Sequence, residues 1–232
     1  MIGIKKLIFI FAIGIQTAFS QTDGISIDVD NSYVPVGEIT PKHTFNMTIA
    51  LPNATINKPF ESMMRGIVDV NPYYQYSLPN SIVFGAGFRY THFAINEFRV
   101  PEPLDGVMHS LGGFLKFGYE RFFVTRFAMD FSVKFGYNEN IISTDLNKKV
   151  RGGAYRFDSG FVEPIIGFIL SASEYSSYRL TIGYTFQGFS FSPYKLGTEM
   201  SGGWDPKEYS KSSQFITFGL GYTYYFNKKK NG

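Results

Sequence analysis

The side chains able to do chemistry in this chain are few. There is no Cys, so a disulfide scaffold, a zinc-thiolate centre, an iron–sulfur cluster and a cysteine nucleophile are all excluded. Three His (His43, His92 and His109) leave little material for a histidine metal site. His109-Ser110 is the one adjacent His-Ser pair, but in a strand its two side chains point to opposite faces and cannot form a dyad. In strands His92 and His109 have no acidic partner evident, and they read as polar rings on a surface. Four carboxylates, Asp69, Glu120, Asp130 and Glu163, could do acid–base work. They are interleaved with Arg65, Arg89, Lys116, Lys134 and Arg179, which makes structural ion pairs the better reading. Gly85-Ala86-Gly87 and Gly219-Leu220-Gly221 lack the third Gly and the helix of a nucleotide loop. The residues therefore assign no catalytic set, no metal ligands and no cofactor.

What positions these groups is a repeated alternation of period 2. It is clearest at the end of the chain, where Ile216, Phe218, Leu220, Tyr222, Tyr224 and Phe226 fall on one face and Thr217, Gly219, Gly221 and Thr223 on the other. Seven further segments read the same way, near 42–51, 63–77, 81–96, 107–121, 126–138, 155–170 and 177–191. Long and short connections alternate between them. No uncharged run of ~18 apolar residues that could span as a helix follows residue 20.

The ends of the chain read differently. Residues 1–20 carry Lys5 and Lys6, an apolar run over 7–15, and Ala18-Phe19-Ser20, the form of a cleaved export signal. The 232-residue chain has a formal charge of +3, from 22 Lys and Arg against 19 acids. Removing the two signal lysines leaves +1, so no basic face points to nucleic acid. The expected organisation is a signal over 1–20, a periplasmic segment over 21–41, a barrel over 42–226 and a basic periplasmic tail over 227–232.

A soluble barrel and a membrane barrel use the same strands inside out. Aromatics make up 18 % of this chain, and an eight-strand interior could not hold rings from every strand. The face carrying Arg65, Asp69, Arg89, Lys116, Glu120, Asp130, Lys134, Glu163 and Arg179 cannot meet lipid, where an Arg or Lys at mid-membrane costs about 2–4 kcal/mol. That face must line the interior, and the face of Ile216 to Phe226 must meet lipid. The fold class expected is therefore all-β: an eight-stranded antiparallel up-and-down transmembrane barrel with a polar, side-chain-filled interior. A symmetric turn at 78–80 would set Asp69 opposite Arg89, and Lys116 is expected to meet Asp130. Tyr73, Tyr74, Tyr76, Phe122, Phe123, Tyr175, Tyr178, Tyr222, Tyr224, Tyr225 and Phe226 are expected in two interfacial girdles.

The stretches LPNATINKPF (51–60), NPYYQYSLPN (71–80), GAGFRYTHFAINEFRVPEP (85–103), MHSLGGFLKFGYERF (108–122), YRLTIGYTFQGFSFSP (178–193) and FGLGYTYYF (218–226) resemble small outer-membrane β-barrel proteins of Gram-negative bacteria. The likeness is to a porin-like, OmpX-like superfamily, and within it to a Bacteroidota-type branch. FGLGYTYYF also resembles the insertion signal read by the barrel assembly machinery, although Asn227–Gly232 follow it here. The resemblance implies the outer membrane and no specific activity. The expected role is structural or surface-interacting, with loops facing outward and 138–151 offering Lys148, Lys149 and Arg151 to lipopolysaccharide phosphates. Outer-membrane lipid is the expected partner, and the chain is expected to be a monomer and not an enzyme. The alternatives are a narrow conduit for small or apolar solutes and a lipid A-modifying enzyme. Asn57-Lys58-Pro59 is expected to start a short helix.

Overall fold

The structure is a computed structural model that describes residues 42–96, 104–124, 126–173, 175–198 and 204–226. The expected signal, periplasmic segment and basic tail lie outside these residues. Eight strands form: β1 (Lys42–Ala54), β2 (Met64–Ser77), β3 (Ile82–Ile95), β4 (Gly106–Val124), β5 (Phe127–Thr144), β6 (Tyr155–Ser171), β7 (Ser176–Gln187) and β8 (Gln214–Tyr225). Each pairs antiparallel with the next, and β8 pairs with β1 to close the barrel. Closure leaves no unpaired edge, the condition for crossing lipid with strands.

The alternation decides which face goes where. Phe45, Met47, Ile49 and Leu51 on β1 project outward, and Thr44, Asn46 and Thr48 inward. On β8, Phe218, Leu220, Tyr222 and Tyr224 are exposed, as is Phe226 just after it, and Ile216 is half-buried, with Leu220 72 % exposed. Such a surface is solvated by hydrocarbon, not water.

Three connections carry four short elements: α1 (Lys58–Met63), α2 (Asp145–Arg151), and, both between β7 and β8, a 3-10 turn (Pro193–Leu196) and α3 (Pro206–Tyr209). The first starts where expected, with Asn57 as N-cap accepting from the Phe60 amide at 3.0 Å and Pro59 in the first turn. All lie on the long connections, at one end of the barrel. β5 runs six residues beyond the expected 138, because pairing continues above the lipid where the outward face no longer has to be apolar. There Glu139 pairs with Arg156 of β6 at 3.0 Å, in water.

One phase error and one register error in the expected strands are corrected. A bulge between Gly66 and Val68 reverses the faces of β2 at its start, so Met64 is buried and Arg65 is exposed. The 78–81 turn pairs Ser77 with Val83, with Ser81 in the left-handed region at φ 69°. Asp69 therefore stands opposite Thr91, not Arg89. The offset is even, so Asp69 and Arg89 still share the inner face.

Candidate functional site

Eight of the nine charged residues assigned to the interior are inside and buried; Arg65 is the exception. Without it the lumen holds four acids and four bases. Between β4 and β5 the neighbours are unfavourable: Lys116 is directly opposite Lys134, and Glu120 opposite Asp130. The side chains resolve this through diagonal contacts and, between β5 and β6, through Glu163 directly opposite Lys134, and they do so as two closed rings.

In the first ring Arg89 Nε donates to Asp69 at 2.7 Å, and Arg89 Nη1 lies 3.5 Å from Glu163. Glu163 pairs with Lys134 at 3.4 Å, and Lys134 donates to Asn71 Oδ1 at 3.1 Å. The Asn71 amide then donates to Asp69 and closes the ring. In the second ring Lys116 meets Asp130 at 2.6 Å, as expected from the sequence. Arg179 donates to Asp130 and, at 3.0 Å, to Glu120. Gln75 donates to Glu120 at 3.0 Å and accepts from Lys116 at 2.7 Å, closing the circuit. Each ring has two acids, two bases and one amide. An amide fits the closing position because it donates to the acid and accepts from the base. Each ring is neutral, which is what makes eight buried charges tolerable.

Between Asn71 and Gln75 on β2 lies Tyr73, which turns inward and does not join a girdle. It begins a hydrogen-bonded row that reads Tyr73, Gly87, Phe114, Gly136, Phe161 across five consecutive strands. Rings from alternate strands lie over glycines on the strands between. A Cβ on Gly87 would sit 2.4 Å from Tyr73 Cβ, and one on Gly136 would sit 2.3 Å from the Phe161 ring. These rings present faces to the cations: Lys116 lies 5.1 Å from Tyr73, Lys134 4.8 Å from Phe114 and Arg89 4.8 Å from Phe161. Tyr225 also turns inward, bonding Ser177 at 3.1 Å, and leaves the girdle set. The cavity between the rings is about 20 Å³, room for little more than a water molecule.

Toward the long connections the lumen becomes apolar. Phe60 and Met63 of α1 drop in among Phe93, Met108, Ile142, Phe191, Leu196 and Phe215. Phe60 touches Phe93 and Phe191 at ring distances of 5.3 and 5.6 Å. Two amides latch this cap. Asn57 Nδ2 donates to the carbonyls of Phe191, Tyr209 and Lys211 at 3.0, 3.2 and 2.8 Å. Asn147 Nδ2 donates to Lys195 O at 3.0 Å, beside a 2.7 Å bond from Thr144 to Leu196 O. Above the cap, Arg151 lies 4.5 Å from both the Tyr155 and Tyr194 rings, and Lys195 Nζ lies 3.8 Å from the Phe157 ring. Burial against these aromatics lowers the Lys195 pKa below its ordinary value.

Ser110 is buried inside the wall, whereas His109 faces outward against His92, so the adjacent pair forms no dyad. No cluster of three or more metal-ligating His, Asp or Glu occurs among the described residues. The sequence alternation puts Phe161 on the polar face of its strand, but the inward turn of Tyr73 and Phe114 and the packing of the cap were not anticipated. The one local signal of the interior aromatics is an aromatic that breaks the alternation beside an outward residue, as in Tyr73-Tyr74, Phe114-Leu115 and Phe161-Val162, with Gly on the neighbouring strand.

A closed eight-stranded barrel with an apolar outer wall and a charged, filled interior defines an outer-membrane β-barrel protein. No protein-family model and no curated protein sequence matches the chain. Among solved structures it is similar to Neisserial surface protein A (NspA), with 10 % identity and a TM-score of 0.50 over 78 % of this chain and 96 % of that one. It is also similar to Ail, the attachment invasion locus protein of Yersinia pestis, at 11 % identity and TM-score 0.47, covering 81 % and 100 % of the two chains. A major outer membrane protein from Thermus thermophilus has 8 % identity and a TM-score of 0.49 over 79 % and 99 %. At such identity the likeness to NspA is one of fold.

Proposed function

We propose that the chain is a structural and surface-interaction barrel, closed to solutes, that presents its long connections to the cell exterior. The observation that carries this reading is the filling of the lumen: two neutral ion rings, an aromatic–glycine row and a loop-borne apolar cap, with a cavity of only about 20 Å³ between the rings. Such a lumen speaks against the conduit. On the outer face of the cap, Lys149, Arg151 and Lys195 have no carboxylate partner among the described residues, which suits anionic lipopolysaccharide phosphates. In this reading outer-membrane lipid and lipopolysaccharide surround a monomeric barrel. The barrel assembly machinery reads the final strand ending on Phe226 during insertion. Kinship to a Bacteroidota-type branch rests on the stretches quoted above.

The test is permeability. Purified protein in liposomes is expected to give no swelling with small sugars or amino acids and no steady conductance in planar bilayers. Reproducible single-channel steps, abolished by boiling the sample, would overturn the closed-barrel reading.

A further inference from the structure

On the outer wall, near the loop ends of β3 and β4, three polar side-chain atoms converge. His92 and His109 are directly opposite across the strand pair. Tyr90 lies two residues before His92 and so shares its face. His92 Nδ1 is 3.3 Å from His109 Nδ1, and the Tyr90 hydroxyl is 2.8 Å from that same His109 nitrogen. The imidazoles stack with centroids 4.7 Å apart, and Tyr90 stacks on His109 at 5.9 Å. The residues directly opposite on the flanking strands are apolar, Val68 beside His92 and Ile141 beside His109.

One imidazole nitrogen carries either one lone pair or one proton. His109 Nδ1 cannot fully satisfy both a hydroxyl and a second imidazole, yet both are within reach. A divalent cation satisfies all three atoms at once. Two imidazole nitrogens bound tetrahedrally to one Zn²⁺ at ~2.0–2.1 Å lie ~3.3–3.4 Å apart, which is the spacing found here. The rings are 25° from parallel, so their lone pairs converge on one ion only after rotation about χ2, a soft torsion in His.

We propose that Tyr90, His92 and His109 form a Zn²⁺ site on the outer rim of the barrel, with two imidazole nitrogens and the Tyr90 oxygen as ligands and solvent completing the shell. The ion clamps β3 to β4 where the wall leaves the lipid. The ligand set is borderline in softness, so Cu²⁺ binds the same site more tightly and serves as a spectroscopic probe.

The experiment is calorimetric titration of ZnCl₂ into the refolded full-length protein in detergent, prepared without a histidine tag. One saturable site per chain is expected. Replacing either ligand, His92→Ala or His109→Ala, should weaken binding by more than the ~10–100-fold that loss of an outer-shell partner costs. Tyr90→Phe should weaken it less. His43→Ala, which removes the only other imidazole, should change nothing. Cu²⁺ bound to the wild type should show electron-spin coupling to two nitrogens, and to one in either single His variant. Heat-dependent gel migration checks that each variant is folded. If a variant is not, Zn²⁺ protection of His92 and His109 against diethyl pyrocarbonate in the wild type, read by mass spectrometry, replaces it. Absence of saturable binding, binding that survives loss of both His92 and His109, or no protection of these two residues would overturn the site.

Discussion

The middle of the lumen and its loop end are both closed, but by opposite physics. In the middle, every charge has specified partners, and the partners come from strands that the hydrogen-bonded wall holds in place. At the loop end, Phe60, Phe93, Phe191 and Phe215 fill space without directional bonds. Direction there comes from a few side-chain latches on the loop backbone, chiefly Asn57 and Asn147 with Thr144. The difference separates how each region fails. A ring that loses one member leaves a charge buried without its partner, and the wall around it cannot rearrange. A cap that loses one side chain leaves a hole, and the loops above it can lift while the wall stays closed.

The sharpest way to break that contrast is to remove one charge. Arg179→Met strips Glu120 of its cation and leaves Asp130 with Lys116 alone. The expected loss is about 3–5 kcal/mol, read as a lower urea midpoint for the whole barrel by heat-dependent gel migration. Asp69→Leu with Arg89→Met should cost less than the two single changes together, by ~0.5–3 kcal/mol, because Glu163 and Lys134 remain as a balanced pair. Strict additivity would mean that the ring is not a unit.

Phe60→Ala tests the other region. Its ring is fully buried, and truncation is expected to cost about 3–5 kcal/mol, drawn from the cap alone. Trp204 packs on the cap and is the one Trp in the chain, so its emission should shift to the red and 188–213 should become protease-sensitive. The folded barrel band should persist and liposomes should stay sealed, because the rings still plug the lumen. Gly87→Val lies between these cases. Its new Cβ would meet both Tyr73 Cβ and Pro72 O at 2.4 Å, so a loss of ~1–3 kcal/mol in barrel stability is expected.

The two regions also differ in how far the sequence disclosed them. Lys116, Asp130, Lys134 and Glu163 were legible because lipid forces the opposite face of each strand to be apolar, and that fixes the phase. Arg65 was lost to the bulge at Gly66 and Val68, which leaves no mark in a hydropathy pattern. Phe161 falls on the polar face with Glu163 in the alternation of its own strand, but Phe114 was lost because an aromatic next to another apolar residue fits either face. Only the facing Gly136, set by a register that sequence does not reveal, shows that Phe114 points inward. Phe60, Phe191 and Leu196 lie on connections, where no periodic constraint distinguishes a buried ring from an exposed one. The ring topology was out of reach for a further reason: the opposite positions of β4 and β5 carry like charges, and of the ion pairs in the rings only Lys134–Glu163 joins directly opposite residues.

The smallest expected effect concerns the outer layer of the cap. Burial against Phe157 and Phe189 holds the Lys195 pKa below its ordinary value, so between the lowered value and about 10.5 the released loop binds more protons than the docked one. Docking must then strengthen as pH rises through that window. Trp204 emission during mild urea titration should show the cap releasing at a higher urea concentration at about pH 9.5 than at about pH 7.5, values set by the window rather than by the barrel. Lys195→Met should abolish that gain, and the midpoint for the barrel should not move with pH in either protein. A barrel midpoint that followed the cap would show the two regions to be one cooperative unit, and the contrast between ring and cap would fall.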